Sequence, residues 1–243
     1  MSWIKVVGIG PGSSEDLTFR AAKALKDSDV VVGYTTYINL IKPLIEGKMV
    51  IVSGMRDEVE RCRKALELAG KGLKVSLVSG GDPGVYGMAG LLLEVALKGG
   101  AQTEIEVIPG VSAVNSAAAI LGAPLMQDFA VVSLSDHLVP WEVIEKRLSL
   151  AAQADFVIAI YNPGSSERPE NLSRAWEILM RHKKPDTPVG IVRKASREGQ
   201  SVAITRLDKL PEYNVDMSTI VVVGGESTFI SGRWIITPRG YRV

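Results

Sequence analysis

The residue types best suited to binding and chemistry lie together in residues 79–90, a stretch with five glycines, one proline and one carboxylate. Glycine accepts positive φ and lets a ligand approach the main chain, while Pro83 fixes φ and removes an N–H donor. Asp82 is the only ionised side chain in this stretch. The pattern predicts a turn that binds a small molecule. A tight strand-to-helix connection in which Asp82 caps the helix is the alternative.

Two other glycine-rich turns, residues 8–14 and 109–113, follow apolar segments in the same way. The first nearly matches the dinucleotide-binding fingerprint, but Pro11 removes an N–H from the phosphate cradle and Ser13 replaces the third glycine or alanine. A dinucleotide site also needs an acidic residue after the second strand, where this chain has Gly-Tyr-Thr-Thr. An NAD-dependent enzyme is therefore not expected.

Thiol and metal chemistry have little support in the sequence. Cys62 is the single cysteine, which excludes a disulfide within the chain and a cysteine-based metal cluster. Its neighbours Arg61 and Arg63 could lower the thiol pKa, but packing in a helix is the expected role. His137 lies in a predicted loop and is assigned no role. No metal site is predicted.

The elements that must position the three turns are strands and helices in alternation. Hydrophobic periodicity predicts strands at residues 4–9, 30–32, 49–52, 75–79 and 105–108, and helices at residues 16–26, 57–69, 91–97 and 112–121. This order predicts a mostly parallel sheet. All three turns would then lie along its carboxyl edge, where open α/β proteins bind their ligands.

The second half of the chain predicts a sheet of a different kind. Strands are expected at residues 129–134, 156–161, 189–192, 202–205, 220–223 and 234–236, with helices at residues 141–152 and 172–180. Residues 193–200 form only a short connection, which favours antiparallel neighbours in a mixed sheet. The fold class is therefore α/β, with an N-terminal domain at residues 1–111 and a C-terminal domain at residues 112–243.

The amino-acid composition of the chain limits the kinds of partner that it is expected to bind. The 243 residues are 46% hydrophobic, and 28 Lys and Arg against 27 Asp and Glu give a formal net charge of +1. Such a chain has no general attraction for nucleic acid or an acidic membrane, so neither is expected as a partner. No basic leader followed by an apolar stretch is present, and no apolar run approaches the length of a membrane span. We expect a cytoplasmic protein.

The glycine turns resemble those of the tetrapyrrole methylase family, which uses S-adenosyl-L-methionine in vitamin B12, sirohaem and related pathways. The matching blocks are Val7-Gly8-Ile9-Gly10-Pro11-Gly12, residues 79–86 and Ile108-Pro109-Gly110-Val111-Ser112-Ala113. Further blocks are similar to the precorrin-3B and cobalt-factor III C17-methyltransferases: Ser133-Leu134-Ser135-Asp136, Pro140-Trp141-Glu142, Tyr161-Asn162-Pro163, Arg193-Lys194-Ala195 and Thr237-Pro238-Arg239-Gly240-Tyr241. The likeness covers nearly the whole chain.

The resemblance implies two αβα domains with a cofactor cleft between them, and a homodimer. It implies cofactor contacts in the first domain from Pro11, Gly80, Gly81, Asp82, Val85, Met88, Ser112 and Ala113. In the second domain it implies contacts from Tyr161 or Asn162, Gly190 or Ile191, and Gly224 or Gly225. S-adenosyl-L-homocysteine would be the product of the cofactor.

The implied reaction methylates C17 of the macrocycle and contracts the ring. Asp82, Tyr86 and Asp136 are the candidates for moving protons, and the sequence does not choose among them. Because the macrocycle carries many carboxylates, it needs cationic contacts. Candidates for substrate binding are Ser133, Asp136, Arg193, Lys194, Arg197 and Arg239.

Two other functions stay open at this point. Another tetrapyrrole methylase, or an enzyme like diphthine synthase, would share the first-half turns and act on a different acceptor. A non-catalytic S-adenosylmethionine-binding module would keep the turns without needing carboxylate-binding residues. The sequence leaves open whether the macrocycle carries cobalt.

Overall fold

The computed structural model describes residues 2–165 and 168–242. The chain divides into two compact units, Met1–Ala113 and Val114–Val243, close to the boundary predicted after residue 111. No helix among the described residues has both the length and the apolar character needed to cross a membrane.

The first unit is built on a five-stranded sheet with the strand order β3-β2-β4-β1-β5. Its strands are β1 (Trp3–Gly8), β2 (Val30–Tyr34), β3 (Met49–Ser53), β4 (Lys74–Ser79) and β5 (Glu104–Ile108). Every neighbouring pair is parallel, so the sheet is more regular than the mostly parallel one predicted. The strands are rich in valine and isoleucine because a parallel sheet is covered on both faces.

Four helices cover the two faces: α1 (Phe19–Asp27), α2 (Thr35–Leu40), α3 (Glu58–Gly70) and α4 (Met88–Lys98). One core packs α3 and α4 on the sheet through side chains such as Cys62, Ala65 and Leu92. The opposite core contains Leu25 of α1 and Ile38 of α2. Buried residues in α3 recur at spacings of three and four, which places them on one face of the helix.

Two helix boundaries in this unit differ from the prediction for local reasons. The predicted helix 16–26 starts at Phe19, because Ser14–Asp16 forms a 3-10 turn and the Thr18 hydroxyl accepts from Ala21 N–H. Helix α4 starts at Met88 rather than at residue 91, and its first N–H donates to the buried Ser79 hydroxyl at 3.4 Å. Helix α2 was not predicted.

The second unit contains a mixed five-stranded sheet with the order β10-β9-β11-β8-β7. Its strands are β7 (Phe129–Ser133), β8 (Val157–Tyr161), β9 (Pro188–Arg193), β10 (Ser201–Arg206) and β11 (Thr219–Val223). Only the β7–β8 pair is parallel, and the other pairs are antiparallel, as predicted for a mixed sheet. A small sheet joins β12 (Phe229–Ser231), β13 (Trp234–Ile236) and β6 (Gly122–Ala123).

Helices α6 (Trp141–Gln153) and α7 (Asn171–Met180) pack on one face of this mixed sheet with a 3-10 helix, Leu207–Glu212. Helix α5 (Ala113–Leu121) comes close to the sheet at Gly190. A Cβ at that glycine would lie 2.4 Å from Leu121 Cδ1. A larger residue at position 190 would therefore push the helix off the strand.

Candidate active site

Three glycine turns meet at the carboxyl ends of β4, β1 and β5, which are neighbours in the sheet. Gly81 N–H donates to Gly10 O at 2.8 Å, and Gly10 N–H donates to Gly81 O at 3.2 Å. This reciprocal pair joins the first and second turns through their backbones. The sheet topology therefore brings together the three segments that the sequence predicted to share one edge.

The glycines of these turns are needed for the turns to approach one another. A Cβ on Gly110 would lie 2.3 Å from Gly81 O, and one on Gly8 would lie 2.7 Å from Gly110 N. Gly81 has φ of +64°, which favours glycine. The sequence predicted a turn whose bare backbone binds a ligand, whereas Gly8, Gly81 and Gly110 serve the contact between the three turns.

Asp82 connects the second turn to the third. Its Oδ1 accepts from Gly84 N–H at 2.8 Å, and its Oδ2 accepts from Gly110 N–H at 3.1 Å. The alternative in which Asp82 caps α4 is wrong, because Gly87 occupies the N-cap position and Ser79 accepts from the helix. The half-buried carboxylate instead fixes the geometry of both turns.

Tyr86 is the residue of this stretch with an unusual backbone. It has φ of +53° and a side chain that is largely exposed. The left-handed conformation costs a non-glycine residue about 1–2 kcal/mol, and such residues concentrate at functional sites. The second turn therefore holds Tyr86 in this conformation. Tyr86 directly follows Val85, a predicted cofactor contact, in the sequence.

The remaining first-unit residues predicted to contact the cofactor lie on or next to the same turns. Pro11 and Met88 are buried, and Val85 is half-buried. Gly80 packs on the Tyr37 ring, because a Cβ there would lie 2.5 Å from Tyr37 Cε1. Ser112 is buried just before α5, and Ala113 is the first residue of that helix.

A second group of predicted residues lies at one edge of the mixed sheet. Ser133 and Tyr161 are register partners at the ends of β7 and β8, and Arg193 at the end of β9 pairs with Thr219. Asn162 Nδ2 donates to Ser133 Oγ at 2.8 Å. The Tyr161 hydroxyl accepts from Val114 N–H at 2.9 Å. These side chains are therefore held in place by one another and by α5.

Arg193 is held by the carboxylate of Asp216, whose pKa is lower than usual. Its Nε donates to Asp216 Oδ2 at 2.6 Å. Partial burial raises the pKa of Asp216, but hydrogen bonds from Ser218 and Arg193 outweigh that effect and lower its pKa to about 2. Lys194, the next residue, has φ of +51° and donates its N–H to Ser218 O at 2.9 Å. This pair gives Arg193 a structural role that the sequence did not predict.

Arg168 belongs to the same edge and was missed by the sequence analysis. Its Nη1 donates to Ser135 Oγ at 2.7 Å and lies 3.6 Å from Asp136 Oδ1. Its Nε donates to Ser165 Oγ at 3.3 Å. The available signal was a basic residue soon after the block at residues 161–163, in a sequence rich in Ser, Gly and Pro.

A cavity of about 390 Å³ lies in the second unit beside this edge. Its lining residues include Pro163, Ser165, Leu172, Trp176, Tyr213 and Asp216. Polar and apolar groups both line it, and the sequence analysis gave no indication of it. Its walls come from the loop after β8, from α7 and from the segment before β11.

Other predicted residues have structural surroundings of their own. Gly190 and Ile191 lie inside β9, between β10 and β11, so strand neighbours flank both backbone edges. Gly224 N–H donates to Pro188 O at 2.8 Å, and Gly225 N–H donates to Thr228 Oγ1 at 2.9 Å. The cofactor contacts proposed for these four residues stay predictions, as do the substrate contacts of Arg197 and the exposed Arg239.

Cys62 is fully buried in α3. Burial raises the pKa of its thiol to about 11, although the nearby Arg61 charge opposes that rise. A thiol with this pKa is protonated at neutral pH and is a poor nucleophile. Among the described residues, no three His, Cys, Asp or Glu side chains are grouped so that they could hold a metal ion.

The parallel sheet with its three linked glycine turns defines an α/β protein, and the family comparison is more specific. The model of the tetrapyrrole (corrin/porphyrin) methylases matches residues 4–211. The chain belongs to this family. The predicted family and the predicted α/β fold class are therefore confirmed.

Individual relatives are more specific than the family model. The chain is 48% identical over 238 residues to a probable cobalt-factor III C(17)-methyltransferase of Salmonella typhimurium, covering 98% of this chain and 99% of that protein. It is also 48% identical to the cobalt-factor III methyltransferase of Priestia megaterium, but spans only 45% of that longer protein. A precorrin-3B C(17)-methyltransferase of Sinorhizobium sp is 41% identical, with 97% of this chain and 96% of that protein covered.

Solved structures agree with these relatives. The crystal structure of the methyltransferase CobJ is similar with a TM-score of 0.93 and 39% identity, over 98% of this chain and all of the other. Uroporphyrin-III C-methyl transferase from Thermus thermophilus, solved in complex with S-adenyl homocysteine, has a TM-score of 0.71 and 25% identity. The alignment covers 92% of this chain and 97% of that protein.

Proposed function

We propose that this chain transfers a methyl group from S-adenosylmethionine to C17 of a cobalt-factor III or precorrin-3B macrocycle, with contraction of the ring, in cobalamin biosynthesis. The observation that carries the proposal is the 48% identity to the Salmonella relative, which extends over 99% of that protein. Because the match is nearly end to end, it includes the second-unit blocks that distinguish methylases acting on different macrocycles.

The first-unit turns fit the cofactor chemically. The turns are rich in glycine, with Asp82 as the one carboxylate of residues 79–90 and the apolar side chains Val85 and Met88 in the same stretch. Such turns would suit an adenosyl group, and the Asp82 carboxylate would attract a positively charged sulfonium bound nearby. When bound, S-adenosylmethionine supplies the methyl group to an electron-rich carbon and leaves as S-adenosylhomocysteine.

The contribution of the chain is orientation and exclusion of water. Positioning two reactants in line can supply on the order of 7–11 kcal/mol without a protein nucleophile. The Asp82 hydrogen bonds to Gly84 and Gly110 fix two of the turns, and the Gly10–Gly81 pair fixes the first. A rigid site of this kind explains why a methyl transferase has linked turns in place of a catalytic triad.

Proton transfer in the ring contraction has three proposed participants: Asp82, Tyr86 and Asp136. Asp82 already accepts two backbone N–H groups, so its first role is to hold the turns. Tyr86 has an exposed side chain on the second turn. Asp136 lies near Arg168 at the edge of the second sheet. The homodimer and the cytoplasmic location stay predictions.

The proposal is tested by incubating the protein with labelled S-adenosylmethionine and each macrocycle, cobalt-factor III and precorrin-3B, followed by mass spectrometry. We expect one added methyl group on at least one of them and a product absorbance spectrum altered by ring contraction. Tight binding of S-adenosylhomocysteine without methylation of either macrocycle would favour the non-catalytic module. Methylation of a different tetrapyrrole alone would favour another member of the family.

A further inference from the structure

We propose that Arg168 binds a carboxylate of the macrocycle, and that Asp136 is the counter-ion that this carboxylate displaces. The inference rests on the proposed function, because it assigns the residue that recognises the acidic substrate. It concerns a side chain that none of the sequence motifs contained. Its basis is the set of contacts around the guanidinium group.

The ion pair between Arg168 and Asp136 is loose. Nη1 lies 3.6 Å from Asp136 Oδ1, beyond the usual distance of an N–H···O hydrogen bond. Among residues 2–165 and 168–242, Asp136 is the one carboxylate in ion-pair contact with this guanidinium. The remaining contacts are to neutral groups: the hydroxyls of Ser135 and Ser165 and the thioether of Met217.

The guanidinium retains donor capacity for a ligand. Its Nη2 lies 3.9 Å from Met217 Sδ, and a thioether is a weak acceptor. A carboxylate from the macrocycle would offer two strong acceptors in the planar geometry that arginine prefers. Replacing Asp136 with such a group exchanges a long contact for direct charge-assisted hydrogen bonds.

Arg168 is also held ready for this exchange. Its contacts come from three separate segments: the loop after β7, the loop after β8 and the residues before β11. Its side chain is 21% exposed, so it is reachable yet mostly removed from water. Because the side chain is already held by its contacts, less side-chain entropy is lost on binding. Because it is mostly removed from water, its charge is less screened. Both effects strengthen binding.

Arg193, one of the candidates from the sequence, is less suited to the same role. Its partner Asp216 accepts four hydrogen bonds, from Ser218 N–H at 2.8 Å, Ser218 Oγ at 2.6 Å, Thr219 Oγ1 at 3.0 Å and Arg193 Nε at 2.6 Å. A carboxylate fixed in this way is not readily displaced. The two ion pairs at this edge therefore differ: the Arg193 pair is structural, and the Arg168 pair is open to exchange.

The experiment compares the full chain with the variants R168Q, R168K and D136N, and with R181Q as a matched control. Arg181 makes a similarly long ion pair, 3.9 Å to Glu145, but its side chain is 63% exposed and no part in substrate binding is proposed for it. Affinities for cobalt-factor III and precorrin-3B are measured by absorbance titration, and affinity for S-adenosylhomocysteine by calorimetry. Methylation of each macrocycle by the wild type is measured in the same series. Thermal unfolding checks that each variant is folded.

We expect R168Q to weaken macrocycle binding about tenfold or more, as the loss of a charge-assisted hydrogen bond predicts, with cofactor affinity unchanged. R168K keeps the charge without the planar fork, so it should bind with intermediate affinity and gives a second variant if R168Q does not fold. D136N should bind the macrocycle at least as tightly as the wild type, because the competing counter-ion is gone. R181Q should match the wild type.

Unchanged macrocycle affinity in R168Q and R168K would overturn the inference, as would a parallel loss of cofactor affinity in either variant. Weaker macrocycle binding in D136N would overturn the displacement step. These outcomes leave the proposed function intact, because wild-type binding and methylation of the macrocycle are measured in the same series. If the wild type neither binds nor methylates either macrocycle, the proposed function fails and the inference fails with it.

Discussion

Asp82 shows how one carboxylate can organise a site before any ligand arrives. It accepts backbone N–H groups from Gly84 in its own turn and from Gly110 in the next. An ionised carboxylate forms stronger hydrogen bonds to backbone donors than a neutral amide does. The Asp82 carboxylate therefore serves first to hold the second and third turns in a fixed geometry.

Asp82→Asn should destabilise the protein, because an amide offers one acceptor oxygen and leaves one N–H without its partner. A lost partner of this kind costs about 1–3 kcal/mol. Urea unfolding measures the change, with Asp27→Asn as control, since the Asp27 carboxylate makes an exposed i,i+4 ion pair with Lys23 and such pairs add little to stability. Equal stability losses in the two variants would contradict the role given to Asp82.

Asp216 should make stability depend on pH in the acid range. Its pKa is lowered from its ordinary value of 3.8 to about 2, so the ionised form stabilises the folded state above pH 4. That contribution is lost as the pH falls from about 4 to 2. Asp216→Asn should show a shallower fall in the free energy of unfolding over this window, measured by urea unfolding at several pH values. Identical pH profiles would count against the Arg193–Asp216 pair as a structural feature.

The element of greatest consequence is the trio of turns after β1, β4 and β5. Their contact requires glycine at positions where any side chain would meet another backbone, with Gly110 the tightest. Turn geometry and strand order together therefore create the candidate cofactor wall, and no single turn forms it alone.

Gly110→Ala tests this dependence, because the added Cβ would lie 2.3 Å from Gly81 O. Overpacking of this kind costs about 1–3 kcal/mol, and S-adenosylhomocysteine affinity should fall as the turns separate. Gly70→Ala is the matched control: its Cβ would meet nothing within 4 Å, and the residue is helical. Calorimetry on both variants measures affinity. Normal cofactor affinity in Gly110→Ala would show that the turns tolerate separation.

Several elements could be predicted from the sequence because their signals are local. The apolar strands and the long amphipathic helices of both units have the periodicity that burial imposes. Helix α2 was missed because six residues rich in Thr, Tyr and Ile give no helical pattern. The two-residue strand β6 and the three-residue strand β12 are likewise too short to show a period.

Only part of the site could be predicted from the sequence, because only part of its signal is local. The glycine turns carry their signal in residue type, but the partners of Asp82 and Arg168 are set by the fold. Gly110 lies 28 positions from Asp82, and Ser135 lies 33 positions from Arg168. No local pattern reports such contacts, so the connecting role of Asp82 and the presence of Arg168 emerge only when the strands are in place.

At the scale of the whole molecule, the chain has the architecture of one family along nearly its full length. The family model spans residues 4–211, and the CobJ structure matches 98% of the chain. Similarity on this scale means that both units, and not the glycine turns alone, are shared. The substrate and the position of methylation are therefore the claims that most need a direct measurement.

The most direct measurement follows the transferred carbon itself. The protein is incubated with cobalt-factor III or precorrin-3B and S-adenosylmethionine labelled with ¹³C in the methyl group, and the product is studied by NMR. We expect a single labelled methyl resonance that correlates with C17 of a contracted ring. A labelled methyl on another ring carbon, or no labelled macrocycle from either substrate, would contradict the proposed function.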